Sequence, residues 1–510
     1  MVNKVYSNRI SEYAHENGGR VLLLFLLFSL AIYEFLTAGL PIFAIICFLP
    51  LVVILIYFTF KRRMGVFWAL IFINYFIQMK GFPIVGPMSL PNEILQISLL
   101  GLAIIDSREN PHFERCGNLM LFSLIIWCSF CTLEVLNDTC GLGINIGAWF
   151  TGARLMAFQL LYIFLVFSIY ISSPEVLLKY LKIWACLTLF SALWTWKQQH
   201  IGMTASESSF LNGRGAVTHI IQGGTLIRYF STFSDAATYG CNAAAAATAF
   251  IIFGITTKIK KDRLFFIIVA LITIYNMFAS GTRTAIACLF GGLALYIILS
   301  KSIKIAVPSM MAGGVLLFIL AFTNIGQGNQ QIRRMRSVFD KSDASAKTRD
   351  INQETMKKYM RDAPWGIGLG MYGEQVPANN KYNRMATIPP DSEYVFIWLR
   401  TGIIGITVFV VTVLIMLSGA CYIVLFRLKS PSLIGIGGGL CSAFFAIQLG
   451  GYANQVLLQY PNGLIFYGGL SIVYILPYIE PEWIKYEEKR LAEQEEKKRI
   501  KLEKKNAARV

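Results

Sequence analysis

Apolar residues run through this chain in long unbroken blocks, separated by short polar turns. Some fourteen blocks read as bilayer-crossing helices, two of them short against the ~20 residues such a helix needs. They are residues 21–36, 41–60, 66–78, 94–105, 119–136, 155–171, 183–196, 236–256, 264–279, 284–299, 305–323, 404–426, 432–449 and 464–478. A membrane β-barrel would alternate apolar and polar positions, and a soluble domain would show shorter apolar runs. The pattern therefore predicts an all-α polytopic membrane protein of about 14 transmembrane helices with a large, partly helical periplasmic loop.

The polar interruptions set the topology. Lys4, Arg9 and Arg20 precede the first block, which has no cleavage site and reads as an uncleaved signal anchor. Basic clusters recur after alternate blocks: Lys61 to Arg63, Arg108 and Arg115, Lys179 and Lys182, Lys258 to Arg263, Lys301 and Lys304, Arg427 and Lys429. Positive charge favours the cytoplasmic side. This predicts a multi-pass protein of the inner (cytoplasmic) membrane with both termini in the cytoplasm. The chain divides into a transmembrane bundle over 1–323 with an outer loop at 197–235, a large periplasmic loop over 324–392, C-terminal transmembrane helices over 393–480, and a charged cytoplasmic tail over 481–510. The tail, from 482 on, holds ten Lys/Arg and seven Glu and reads as a solvated helix or a disordered segment near lipid headgroups.

Composition adds little to this picture. Of 510 residues, 55% are hydrophobic and 15% charged. The formal charge of +17 is mostly flanking charge, and no nucleic-acid partner follows from it. The ten cysteines are scattered; Cys128 and Cys131 have no second pair or histidine cluster to complete a metal site.

The exception is the stretch 326–392. It carries eleven Lys/Arg against seven Asp/Glu, an excess of four positive charges on the side where few are expected. Residues 343–362 read as a helix with a moderately apolar stripe of Ile351, Thr355, Met356, Tyr359 and Met360, ended by Ala363-Pro364. Arg349 lies early in that helix, against the dipole, which points to an anionic partner. The segment APWGIGLGMYG lacks the preceding strand of a nucleotide-binding loop and reads as a tight turn with close backbone approach. Asp391 or Ser392 would cap the next helix; alternatively Asp391 is a carboxylate held at the membrane face to take a proton from a hydroxyl, with Glu393 as its rival.

Arginines elsewhere complete the candidate set. Arg283 lies between two apolar blocks, among Ser280, Gly281, Thr282 and Thr284. It is either an interfacial arginine with its stem along the bilayer or a cation facing a ligand cavity. Arg228 precedes an Ala-rich block, and Arg214 sits in LNGRGAV; a plain loop charge is the alternative for both.

These pieces together resemble the O-antigen polymerase and O-antigen ligase superfamily. The matching features are the arginine of SGTRTA, the arginine before the Ala-rich block, the large late loop, and PWGIGLG followed by DSEYVFIWLRTGIIG, over roughly residues 210–410. The resemblance implies a GT-C-like fold, as in C-type glycosyltransferases. It implies transfer of a glycan from an undecaprenyl-pyrophosphate carrier to an acceptor hydroxyl on the periplasmic side. It assigns pyrophosphate binding to Arg283, Arg228 and Arg349. The residues themselves add Arg214 and Glu393 as further substrate-binding candidates and Asp391 as base or acceptor orienter. Arginine forks suit phosphate, so no metal and no cofactor are expected. The implied partners are the lipid-linked oligosaccharide, membrane lipids and a chain-length regulator protein. Ligases of this superfamily carry a histidine just before the helix that follows the loop. Here Asp391-Ser392 stands there, and His15, His112, His200 and His219 are all distant in sequence. This favours a polysaccharide polymerase of O-antigen, capsule or exopolysaccharide. The alternatives are an O-antigen ligase acting on lipid A core and a lipid-linked oligosaccharide transporter.

Overall fold

The structure, a computed structural model, describes residues 63–81, 89–105, 112–221, 226–299, 330–336 and 344–507, with isolated positions within 18–29 and 311–328. Of the predicted spans, 21–36, 41–60 and 305–323 therefore lie outside the described residues apart from those positions. The chain divides into a unit of residues 1–66 and a unit of residues 67–510. All that follows concerns the second unit.

Its helices, in chain order, are α1 (Arg63–Phe76, begun in the first unit), α2 (Leu90–Ile105), α3 (Leu119–Leu133), α4 (Ile146–Ala153), α5 (Gln159–Tyr170), α6 (Pro174–His200), α7 (Ala205–Asn212), α8 (Ala236–Thr256), α9 (Lys260–Ala279), α10 (Thr284–Leu299), α11 (Gln330–Arg336), α12 (Ala344–Met360), α13 (Glu393–Tyr422), α14 (Pro431–Ala453) and α15 (Gly468–Ala507). Among the described residues, eight helical stretches are long and apolar enough to cross a membrane. Caps set several boundaries. Asn118 accepts from the N–H groups of Met120 and Leu121, Ser173 stands before Pro174 at the first helical position, and Asp235 accepts from Ala237 and Thr238.

Some boundaries differ from expectation. The blocks at 119–136 and 155–171 leave residues 137–154 as an outer, partly helical segment, yet α4 continues through one wide turn at Arg154–Phe158 into α5, a single span over Ile146–Tyr170. Arg154 looks like a boundary in sequence; in space its charge is met by Glu93, 3.3 Å away. The short block 183–196 is the middle of the 27-residue α6. The tail is a helix solvated only in part: α15 runs unbroken through Pro477 and Pro481, the first part of its polar half is docked, and residues 495–500 are exposed. Glu480 accepts from the N–H groups of Lys429 and Ser430, while Arg490 pairs with Asp262 and Glu487 with Lys258.

Helix α8 is the centre. Ala244 to Ala247 are fully buried, with α9, α10 and α14 packed around them, because methyl side chains let backbones approach closely. A polarity follows from this packing. The ends of α8, α9, α10, α13 and α14 that meet near residues 236, 280, 284, 391 and 454 lie at one end of the bundle. The basic clusters at Lys258 to Arg263 and at Arg427 and Lys429 lie at the other ends of these helices.

The late loop packs a small core against the start of α13, in which Met356, Met360, Ile367 and Met385 are buried with Leu399 of that helix. Of the expected stripe on α12, the two methionines are buried, Thr355 and Tyr359 are half-buried, and Ile351 is exposed. The PWGIGLG turn is inserted into a break in α13. Gly402 has φ 65° and ψ −169°, which interrupts the helical ladder. Ile367 N–H donates to Leu399 O at 2.9 Å, Gly368 N–H to Arg400 O at 3.1 Å, and Ile404 N–H to Pro364 O at 3.3 Å. The loop backbone thus takes up groups that the broken helix leaves unbonded. Gly366 and Gly370 have φ of 80° and 77°, and a β-carbon on either would overlap the backbone of Arg400 or Ala148.

Candidate functional site

A cavity of about 490 Å³ opens at the end of the bundle where α8, α10 and α13 begin and α14 ends. Arg228, Arg283, Arg334, His219 and Asp391 all line it. The first residues of α8 and α10, Ala236 and Thr284, also face it, so two helix N-termini contribute partial positive charge to a wall already rich in arginine.

The turn Ser280-Gly281-Thr282 places the cations. Gly281 has φ 58°, which turns the chain at the end of α9 and leaves consecutive carbonyls exposed. Arg228 donates from Nε to Ser280 O at 3.3 Å, from Nη2 to Thr282 Oγ1 at 3.0 Å, and from Nη1 to Thr218 O at 2.9 Å. Arg334, on α11, donates from Nε to Gly281 O at 2.8 Å. A helix C-terminus carries partial negative charge, which favours the two guanidinium groups held there. Arg283 follows in the same turn as the cap residue of α10.

Asp391 and Ser392 divide the two roles that sequence left open. Ser392 caps α13, its hydroxyl accepting from Val395 N–H and donating to Gly451 O at 3.0 Å. Asp391, one residue earlier, is left facing the cavity. Asp235, the other carboxylate in the wall, is committed to capping α8.

Other expected residues fall elsewhere. Arg214 is exposed and does not line the cavity, because it lies on the turn after α7, beyond the short strand pair in which Ile220 faces Ile227. Glu393 is buried and points away; its carboxylate accepts from Leu457 N–H at 3.0 Å and anchors the segment between α14 and α15. Arg349 belongs to α12, but its side chain lies outside the described residues.

Sequence distance misled on histidine. His219 lies in the cavity wall, brought there by the loop before α8. Nε2 accepts from Ala236 N–H at 3.1 Å, which places the ring proton on Nδ1, 3.1 Å from Gly215 O. Burial, and then the nearby Arg228, push its pKa down to about 4. Both ring nitrogens are thus committed to backbone, and the neutral ring organises the start of α8.

Four contributors were missed. Arg334 was one charge among many in the basic loop. Asn454, Gln455 and Gln459, also in the wall, come from the short link between α14 and α15, where they form the polar signal in YANQVLLQYPN. Asn454 donates to Thr284 Oγ1 at 3.2 Å and so ties that link to α10. Among the described residues no group of three or more His, Cys, Asp or Glu could hold a metal ion.

The fold and this cavity define a multi-pass helical membrane protein with an anion-suited site at one end of its bundle. Residues 268–410 match the model of the O-antigen ligase family, which is consistent with the superfamily that the motifs resemble. The matched region holds Arg283, Arg334 and Asp391, and supports a role of the polysaccharide polymerase or ligase type. No curated protein matches the chain significantly.

Proposed function

We propose that this protein is a polysaccharide polymerase that transfers a glycan from an undecaprenyl-pyrophosphate carrier to a hydroxyl of an acceptor sugar. The observation that carries this reading is the convergence of Arg228, Arg283 and Arg334 with Asp391 on one cavity. The acceptor oxygen forms a bond to the anomeric carbon as the bond from that carbon to the pyrophosphate oxygen breaks. The departing pyrophosphate keeps the electron pair, and its growing charge meets the guanidinium groups and the two helix N-termini. Asp391 takes the hydroxyl proton. Arginine supplies the cationic charge in this scheme, so transfer is expected to survive chelation by EDTA. The cavity lies opposite the basic ends of the helices, so the positive-inside tendency puts it on the outer face of the cytoplasmic membrane.

In vivo polymer length in Arg228→Ala and Arg283→Ala strains tests the site; full-length polymer in both would refute it. Ligation to lipid A core is the second reading, favoured by the description of the matched family. An acceptor assay separates the two: elongation on carrier lipid supports polymerisation, and transfer to lipid A core supports ligation.

A further inference from the structure

A second cavity, of about 410 Å³, adjoins the first and shares Gln455 and Gln459 with it. Its chemistry is different. Three aromatic rings, Tyr372, Phe396 and Tyr460, line it. Tyr372 and Phe396 stack with centroids 6.4 Å apart and planes 22° from parallel. The buried guanidinium of Arg400 lies 4.5 Å from one ring centroid and 5.4 Å from the other, which holds both rings in place. Tyr460 is fixed by hydrogen bonds between its hydroxyl and the Gln159 amide. Among the described residues, the charged groups in the wall are Arg154, matched by Glu93 at 3.3 Å, and Glu393, whose carboxylate accepts from Leu457 N–H at 3.0 Å.

Rigid apolar ring faces with amide groups and a neutralised charge suit an uncharged polyhydroxylated ring and disfavour pyrophosphate. The volume falls within the ~300–1,000 Å³ of small-molecule sites. We propose that this cavity is the subsite for a pyranose unit of the acceptor glycan. The assignment rests on the glycan-transfer reading above. When two lipid-linked glycans react, the donor reacts at its pyrophosphate end and the acceptor at its far, neutral end. Of two adjoining cavities, the cationic one therefore suits the donor, and the aromatic one, which has no excess of cations among the described residues, suits the acceptor. Gln455 and Gln459, common to both, mark where the acceptor hydroxyl meets the anomeric carbon.

The test uses the full chain in nanodiscs. The probe is the oligosaccharide released by mild acid from the producing strain's own lipid carrier, which has no pyrophosphate, with binding read by saturation-transfer NMR. Thr151, exposed at the cavity rim, gives a filling variant that removes no buried group. Thr151→Trp is expected to weaken oligosaccharide binding about tenfold or more, and Tyr372→Ala similarly, the scale of a lost aromatic platform with its ordering. Arg283→Gln is expected to keep oligosaccharide binding while losing carrier pyrophosphate. In elongation assays Thr151→Trp should raise KM for the acceptor and leave KM for the donor unchanged. Oligosaccharide binding that survives Thr151→Trp and Tyr372→Ala overturns the subsite. So does a rise confined to the donor KM. Pyrophosphate binding that is indifferent to Arg283 while the oligosaccharide still binds refutes the transfer reading instead, so the two failures are distinguishable.

Discussion

Arg228 and Arg334 are held by consecutive carbonyls of one turn, Arg228 Nε on Ser280 O at 3.3 Å and Arg334 Nε on Gly281 O at 2.8 Å. The two cations come from segments about a hundred residues apart, and the end of α9 aligns them. Gly281 makes this possible, since a β-carbon there would meet Arg228 Cγ at 3.3 Å and Arg334 Cδ at 3.4 Å.

Gly281→Ala is therefore expected to impair transfer more than folding. Its positive φ costs a non-glycine residue about 1–2 kcal/mol, and the new methyl displaces both guanidinium groups. Polymer length and thermal stability, measured on the same variant, check this: wild-type polymer at a lowered Tm would disprove the aligning role.

Arg334→Ala should cost about 10²–10³ in initial rate, the scale of one lost transition-state donor. Lysine should restore only part of it, because it cannot donate to Gly281 O and reach an anion with the same planar group. Rates with purified protein and lipid-linked donor decide the matter, and equal activity of Ala, Lys and wild type would remove Arg334 from the site.

Asp391→Asn and Ser392→Ala should separate chemistry from capping. The first is expected to lower kcat by about 10²–10⁴, as for a lost general base, with donor KM unchanged or reduced. The second loses the cap of α13, about 1 kcal/mol, and should keep kcat. Steady-state kinetics together with a denaturation curve read both, and reversed effects would exchange the roles.

His219 gives a pH dependence of stability. Its folded pKa, about 4, lies below the ordinary 6.5. Between those values the unfolded chain binds the proton and the folded chain does not, so stability falls as pH drops from about 6.5 towards 4. The full effect is about 3 kcal/mol, at 1.36 kcal/mol per pKa unit. His219→Gln should flatten this part of the profile, and an unaltered slope would count against the buried neutral ring.

Gly402→Ala should destabilise the protein by about 1–3 kcal/mol or more, because its φ/ψ region is essentially reserved for glycine. A β-carbon there would also overlap the Pro364 carbonyl. Limited proteolysis within 363–376 should accelerate in this variant; protection equal to wild type would mean that the loop does not depend on the break in α13.

What the sequence by itself determined is the class and the materials. Long apolar blocks leave no alternative to membrane helices, since backbone polar groups in hydrocarbon must be bonded within each segment. Lone arginines beside small polar residues, and the Gly-rich turn before Asp391, stood out because charge and glycine are costly in such a setting. Boundaries were less legible: Arg154 and the proline-containing start of α15 looked like ends, and became interiors once Glu93 and the cluster around Asp262 met their charges or packed beside them. Tertiary structure alone decided which charges meet. Arg214 and Arg228 are both loop arginines before α8, yet of the two only Arg228 reaches the carbonyls at the end of α9. Glu393 and Asp391 are two residues apart, but the helical start at Ser392 turns one towards Leu457 and leaves the other facing the cavity. His219 and Arg334 arrive from distant loops, because the crossing of packed helices sets which ends share a cavity, and spacing along the chain does not record it.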